Sequence, residues 1–237
     1  MSIYKIADLF INIQCKSEYA KNLLKNYLSD AKKFDFSLEI TAEDIKKEKN
    51  TVAGYSDGMY EATAILRKLS NILLLNYNGA LIHCAVIAYN GKAYAFSAPS
   101  GTGKTTHIKI WQKCLGDKVK IINGDKPFIR YINGKPIAFG TPWQGKENLG
   151  SNAHYPLDGI FILKRGLANS VKTAKSDTVF SLINSIACPK NQLGKIKALE
   201  FLDRLSHDVK IFELSCKMED DACYTALKAI EGEINED

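Results

Sequence analysis

The chain has 237 residues, 46% of them hydrophobic and 24% charged, with a formal net charge of +6. That balance suits a soluble globular protein able to bury a substantial core, and no stretch reaches eighteen apolar residues, which argues against a membrane-spanning helix. The lysines are scattered, with small clusters at Lys46–Lys49 and Lys195–Lys197, where a nucleic-acid partner would call for a dense basic stripe with exposed aromatics.

In chain order, residues 3–14 read as a strand, residues 17–28 as a helix and residues 34–40 as a second strand. A short helix begins near Thr41-Ala42-Glu43-Asp44, and its lysines form a solvated face. Residues 57–77 carry Met59, Ala62, Ile65, Leu66, Leu69, Ile72 and Leu73 at helical spacing. Residues 80–89 and 92–97 are strand candidates joined by Asn90-Gly91, the dipeptide that suits a type I′ hairpin turn. A two-residue turn sets the register: Tyr89 faces Lys92, Val86 faces Ala95, and His83 faces Ala98. The strand that ends at Ser97 therefore has an antiparallel neighbour, so the expected fold is α/β with a mixed, partly antiparallel sheet.

Residues 97–106 read Ser-Ala-Pro-Ser-Gly-Thr-Gly-Lys-Thr-Thr. Ala98-x-x-x-x-Gly103-Lys104-Thr105 fits a phosphate-binding P-loop, with Ala in place of the usual first glycine. In such a loop the backbone N–H groups of Ser100, Gly101, Thr102, Gly103, Lys104, Thr105 and Thr106 cradle phosphate. Lys104 meets the β/γ-phosphates, and the Thr105 hydroxyl holds Mg²⁺. Gly101 and Gly103 supply backbone freedom and close approach. The context fits: an aromatic strand precedes the motif, and a helix follows from Thr105 to Leu115, with Ile108, Trp111 and Leu115 on one face and Gly116 at its end. The alternative is a glycine-containing turn before a surface helix. ATP with Mg²⁺ is the expected ligand, and attraction to ATP or an acidic partner accounts for the net charge.

Residues 119–125 form an apolar run ending in Asp125, about twenty residues after Lys104. A carboxylate there suits a direct or water-mediated Mg²⁺ ligand; otherwise it is a turn aspartate in Asn123-Gly124-Asp125. Residues 128–132 and 135–139 flank a second Asn-Gly turn, Asn133-Gly134, whose register brings Asp125 opposite Pro142. His83 reads either as a functional group beside the loop or as a core histidine. Trp143 suits a ligand stack or the core, and Lys146 and Glu147 a cap over the phosphates or an exposed loop. Further on, residues 157–163 and 211–214 read as strands, and 179–186, 195–205 and 220–231 as helices. Lys164 and Arg165, just past a predicted strand, reach either the phosphates or solvent. One domain is expected over 1–237, its first 79 residues packed on a nucleotide core at 80–237.

The six cysteines, Cys15, Cys84, Cys114, Cys188, Cys216 and Cys223, form no CxxC pair, and the first residues lack a signal-peptide pattern. Both point to reduced thiols in a cytoplasmic protein. His107, His154 and His207 show no metal-ligand spacing.

The stretch Ile82-His83-Cys84-Ala85, with Phe96-Ser97-Ala98-Pro99-Ser100-Gly101-Thr102-Gly103-Lys104-Thr105-Thr106, resembles the superfamily of HPr serine kinase/phosphorylases and ATP-dependent phosphoenolpyruvate carboxykinases. Gly140-Thr141-Pro142-Trp143-x-Gly145-Lys146-Glu147 and the chain length resemble the small HPr-kinase-like proteins, which include peptide kinases. The resemblance implies that Lys104 and the loop bind the β/γ-phosphates and that Thr105 and Asp125 hold Mg²⁺. His83 then lies near the transferred phosphoryl group, as acid/base or positioning group. It further implies a phosphotransferase acting on a hydroxyl, a serine of a protein or peptide, and possible homo-oligomers. The family often carries an Asp-Asp pair where this chain has Asp125-Lys126. That departure opens a second expectation, a nucleotide-binding regulatory protein without catalysis. A small-molecule kinase is a third.

Overall fold

A computed structural model describes residues 2–217 and 219–232. The predicted strand over 3–14 is a hairpin, with β1 (Ile3–Ile6) antiparallel to β2 (Leu9–Ile13). Its turn residues Ala7 and Asp8 take φ of 52° and 60°; Asp tolerates that region, but Ala at the first position does not announce such a turn. The first helix is shorter than expected. α1 (Glu18–Leu24), capped by the Ser17 hydroxyl, tightens into a 3-10 turn over Lys25–Tyr27. With β3 (Leu28–Ser29) and β4 (Phe36–Leu38) the hairpin makes a four-stranded sheet of order β3-β1-β2-β4. α2 (Ala42–Thr51) starts at a capping box between Thr41 and Asp44, and α3 (Asp57–Asn76) starts at Ser56. The apolar stripe of α3 through Ile65, Leu69 and Leu73 closes over this sheet. The same cluster takes in Leu81, Phe128 and Phe139, so the first eighty residues pack on the rest of the chain.

The predicted strand over 80–89 divides into β5 (Gly79–Leu81) and β6 (Cys84–Tyr89). The hairpin of β6 with β7 (Lys92–Ser97) has the expected register, Tyr89 to Lys92 and Val86 to Ala95. Asn90 and Gly91 both take positive φ, 48° and 76°. The ladder stops at Cys84–Ser97, one pair short of His83–Ala98. The His83 N–H donates instead to Ser185 O at 2.8 Å.

α4 (Lys104–Leu115) leads to β8 (Val119–Asn123), and β9 (Phe128–Ile132) pairs with β10 (Lys135–Phe139) across the second Asn-Gly turn, as expected. β11 (His154–Arg165) is longer than predicted, and β12 (Ser170–Thr173) was not foreseen. The helix expected over 179–186 is α5 (Ser176–Ser181) followed by a 3-10 turn, because Ile186 turns extended to bridge Ile82. α6 (Gln192–Asp208), β13 (Lys210–Cys216) and α7 (Asp221–Glu231) complete the chain.

Among the described residues the main sheet is nine-stranded and mixed. β6 is antiparallel to β7 and to β8, while β11 is parallel to β7 and to β13. On its other side β11 meets β10 through its first residues and β13 through its last, so the sheet curls. Both faces are covered. Side chains alternate along β6 and β7: Val86 and Ala95 face the α6 side with Leu202, while Ile87, Tyr94 and Phe96 face Ile108 and Trp111 of α4. This two-sided burial explains why the β6 and β7 segments read as nearly continuous apolar runs.

Candidate functional site

The central hairpin delivers the chain at Ser97 into the loop 98–103, which opens directly into α4. Gly101 and Gly103 take φ of 78° and 121°, a region that side-chain-bearing residues avoid. The Thr102 N–H bonds Pro99 O at 3.3 Å, and the first intrahelical bond runs from His107 N to Gly103 O at 2.9 Å. Gly103 caps α4 with no side-chain hydrogen bond. The first N–H groups of this 12-residue helix therefore lack helical partners, and with the helix dipole they favour an anion.

Those residues line a cleft of ≈530 Å³. Ser100, Gly101, Gly103, Lys104, Thr105 and Thr106 form one wall. His83, Asp125 and Lys126 face them, with Gln144, Gly145, Lys146 and Glu147 from the loop after β10. Of the residues singled out from sequence as site candidates, Thr102, Trp143, Lys164 and Arg165 are outside this lining. Four segments separated by up to about sixty positions thus converge on one cleft, although Asp125 is not opposite Pro142. The strand ends at Asn123, and the β9–β10 ladder ends at Phe128–Phe139. Asp125 instead rests against Gly145, where an added Cβ would stand 2.9 Å from Asp125 Cβ.

Asn123 holds these loops together. It is fully buried. Its Oδ1 accepts the N–H of Asp125 at 2.8 Å and of Lys126 at 2.7 Å. Its Nδ2 donates to Thr141 Oγ1 at 3.0 Å, Thr141 O at 3.2 Å and Trp143 O at 3.3 Å. The Thr141 hydroxyl in turn donates to Lys126 O at 2.7 Å. Trp143 belongs to the core: its Nε1 donates to Ala62 O of α3 at 3.1 Å. Sequence reading passed over Asn123 because an Asn-Gly pair at a strand end reads only as a turn.

Asp125 has both carboxylate oxygens engaged. Oδ1 lies 2.9 Å from His83 Nε2, and Oδ2 contacts Lys126 Nζ. Burial pushes its pKa up, but hydrogen bonds from His83 and Lys126 and the nearby positive charge outweigh this and hold it at about 2. Lys104 is buried, its ammonium donating to Ala98 O at 2.8 Å. Burial pulls its pKa down, opposed by the charge on Asp125. Beside His83, burial pushes the Cys84 thiol up to about 12, which keeps it protonated and unreactive.

Four other residues resolve differently. Arg165, at the end of β11, donates through Nη2 to Gly101 O at 2.8 Å and through Nε to Thr102 O at 3.4 Å. It thus holds the two loop carbonyls from outside. Lys164 points elsewhere and pairs with Glu213 at 2.6 Å. Glu147 pairs with Lys109 of α4, tying the 144–148 loop to the helix. His107, fully buried under α4, accepts from Trp111 Nε1 at 3.0 Å, and burial drops its pKa to about 4.

Thr105 and Asp125 are hard oxygen donors in one cleft, the pairing that suits Mg²⁺ when substrate phosphates and water complete the shell. A metal on Asp125 would compete with His83 and Lys126 for the carboxylate. Among the described residues no group of three or more His, Cys, Asp or Glu side chains gathers a metal unaided. None of the described helices is long and apolar enough to cross a membrane.

No family model matches the chain, and no curated protein matches it in sequence. Among solved structures it is similar to the HPr(Ser) kinase/phosphatase from Coxiella burnetii. The TM-score is 0.34 at 7% identity, over 65% of this chain and 93% of that one. No match in sequence accompanies the resemblance read from residues 80–147.

Proposed function

We propose that this protein is an ATP- and Mg²⁺-dependent phosphotransferase that moves the γ-phosphoryl group onto a hydroxyl, a serine of a protein or peptide. The carrying observation is the convergence of His83, Ser100, Gly101, residues 103–106 and Asp125 on one cleft at the start of α4. The helix N-terminus and the loop amides bind the β/γ-phosphates, with Lys104 as the fixed charge among them. Thr105 and Asp125 hold the metal, which would neutralise charge on the phosphates.

The acceptor oxygen attacks the γ-phosphorus, the bond to the bridging β–γ oxygen breaks, and ADP leaves. With Nε2 on Asp125, His83 has Nδ1 left to take the hydroxyl proton, and Asp125 steadies the resulting charge. The 144–148 loop, tied to α4 through Glu147 and Lys109, closes one side of the cleft. Such chemistry depends chiefly on positioning and charge, so a single acid suffices.

A second reading, a nucleotide-binding regulatory protein, draws on Lys126, whose ammonium occupies the Asp125 oxygen that a metal would need. The test is ATP binding and ADP formation with HPr-type proteins, serine-ended peptides and free serine as acceptors. Lys104→Ala and Asp125→Ala serve as controls. Acceptor-dependent ADP formation lost in both variants supports the kinase. Tight binding without turnover favours the regulatory reading. Absence of nucleotide binding overturns both.

A further inference from the structure

Lys126 stands where the acid pair is broken, and it lines the same cleft as the 100–106 loop. Its backbone is fixed on both sides: its N–H donates to Asn123 Oδ1 at 2.7 Å and its carbonyl accepts from Thr141 Oγ1 at 2.7 Å. Its side chain is a partly exposed flexible stem, and among the described residues its ammonium pairs with Asp125. We propose that Lys126 is a phosphate-binding residue of the cleft, exchanging Asp125 for polyphosphate oxygen. This rests on the nucleotide reading above.

The exchange follows from the partners of Asp125. Oδ1 faces His83, and the His83 backbone is pinned to Ser185 O at 2.8 Å. Oδ2 faces Lys126, whose four-carbon stem can swing. When Asp125 takes up a cation, Lys126 is the partner more readily released. A released ammonium in this cleft has few anions to turn to. Glu147 is already paired with Lys109, while Lys104 and Lys146 share the lining and carry the same sign. Polyphosphate oxygen is the remaining partner, and a lysine meets it as a point charge with three donors.

The exchange has two consequences. A metal on Asp125 frees Lys126 for the phosphates, and polyphosphate can also draw the flexible ammonium off the carboxylate without a divalent ion. Lys126 also competes with divalent ions for Asp125, so removing it strengthens metal binding to the protein alone.

The experiment uses calorimetry of ATP and of inorganic triphosphate in EDTA, on the wild-type protein and on Lys126→Met, Lys126→Arg and Lys104→Met. Mn²⁺ binding without nucleotide is followed by electron paramagnetic resonance, and circular dichroism checks the fold. In Lys126→Met, affinity for both anions should fall by about tenfold to a hundredfold, the range for one charge-assisted hydrogen bond. Lys126→Arg should stay near wild type, and Lys126→Met should bind Mn²⁺ more tightly. If Lys126→Met binds both anions as the wild type does, the Lys126 proposal falls while the nucleotide reading stands. If the wild type binds neither anion, with or without Mg²⁺, the nucleotide reading falls and takes this proposal with it.

Discussion

Replacing Asn123 by Ala tests whether one buried amide assembles the site. The substitution removes the acceptor for the Asp125 and Lys126 N–H groups, and the donor to Thr141 and Trp143. Each buried polar group left unpaired costs about 1–3 kcal/mol. Asp125 and Lys126 are only partly buried, so water can reach their N–H groups, and about 1 kcal/mol each is appropriate for them. The Thr141 side, fully buried, adds about 1 kcal/mol more, for about 3 kcal/mol in all. In a domain of this size that lowers the melting temperature by about 6–12 °C. Asn123→Asp should be worse, because it sets a carboxylate oxygen against the Thr141 and Trp143 carbonyls. Thermal denaturation by circular dichroism reads the stability, and ATP calorimetry reads the site. Affinity should fall with stability, since Asp125 and Lys126 lose their anchor. A drop in melting temperature below about 2 °C with unchanged ATP affinity would refute the reasoning.

Asp125→Asn should destabilise the protein at pH 6 by more than it does in acid. The wild-type carboxyl is held at about 2, below its ordinary value of about 3.9. Its contribution is therefore complete above about pH 4 and lost as pH falls toward 2. Urea unfolding of both proteins should show the gap narrowing over that window, and a constant gap would refute the pairing. Arg165→Ala should weaken ATP binding by about three- to tenfold with little change in melting temperature, since its hydrogen bonds to the loop are exposed ones. Arg165→Lys should recover part of that loss by calorimetry. Gly145→Ala puts a Cβ against Asp125 at a residue with φ of 78°. It should cost about 1–2 kcal/mol in a thermal melt, with ATP affinity falling too.

Legibility in this chain tracked how local each signal was. The two Asn-Gly turns specify positive φ at adjacent residues, and both hairpins formed in the expected register. The loop 98–103 and the start of α4 lie where Gly101, Gly103 and the apolar spacing of Ile108 and Trp111 put them. The misses came where a distant partner decides. Ala7-Asp8 turns at positive φ because β1 and β2 both have apolar faces to bury, and Ala7 does not announce it. His83 leaves its ladder for Ser185, about a hundred residues away, and Ile186 abandons its helix for Ile82. Arg165 could be placed at a strand end, but not assigned to the carbonyls of Gly101 and Thr102.

The Asp125-Lys126 pair marks the same limit within the site itself. From sequence the lysine reads as a lost acid, and the inference runs to a nucleotide-binding protein without catalysis. In the fold its ammonium reaches the carboxylate beside it, while both backbone N–H groups share one buried acceptor, Asn123 Oδ1. A carboxylate that accepts from both His83 Nε2 and the Lys126 ammonium is held ionised and aimed, and a metal there competes with both donors. On the proposed exchange, Lys126 competes with a metal for Asp125 and can follow the phosphate. Whether that exchange supports turnover or only binding depends on how far the Lys126 stem travels while Asn123 keeps its backbone still. The Asn123 and Lys126 variants separate these two motions: one frees the backbone and the other removes the charge.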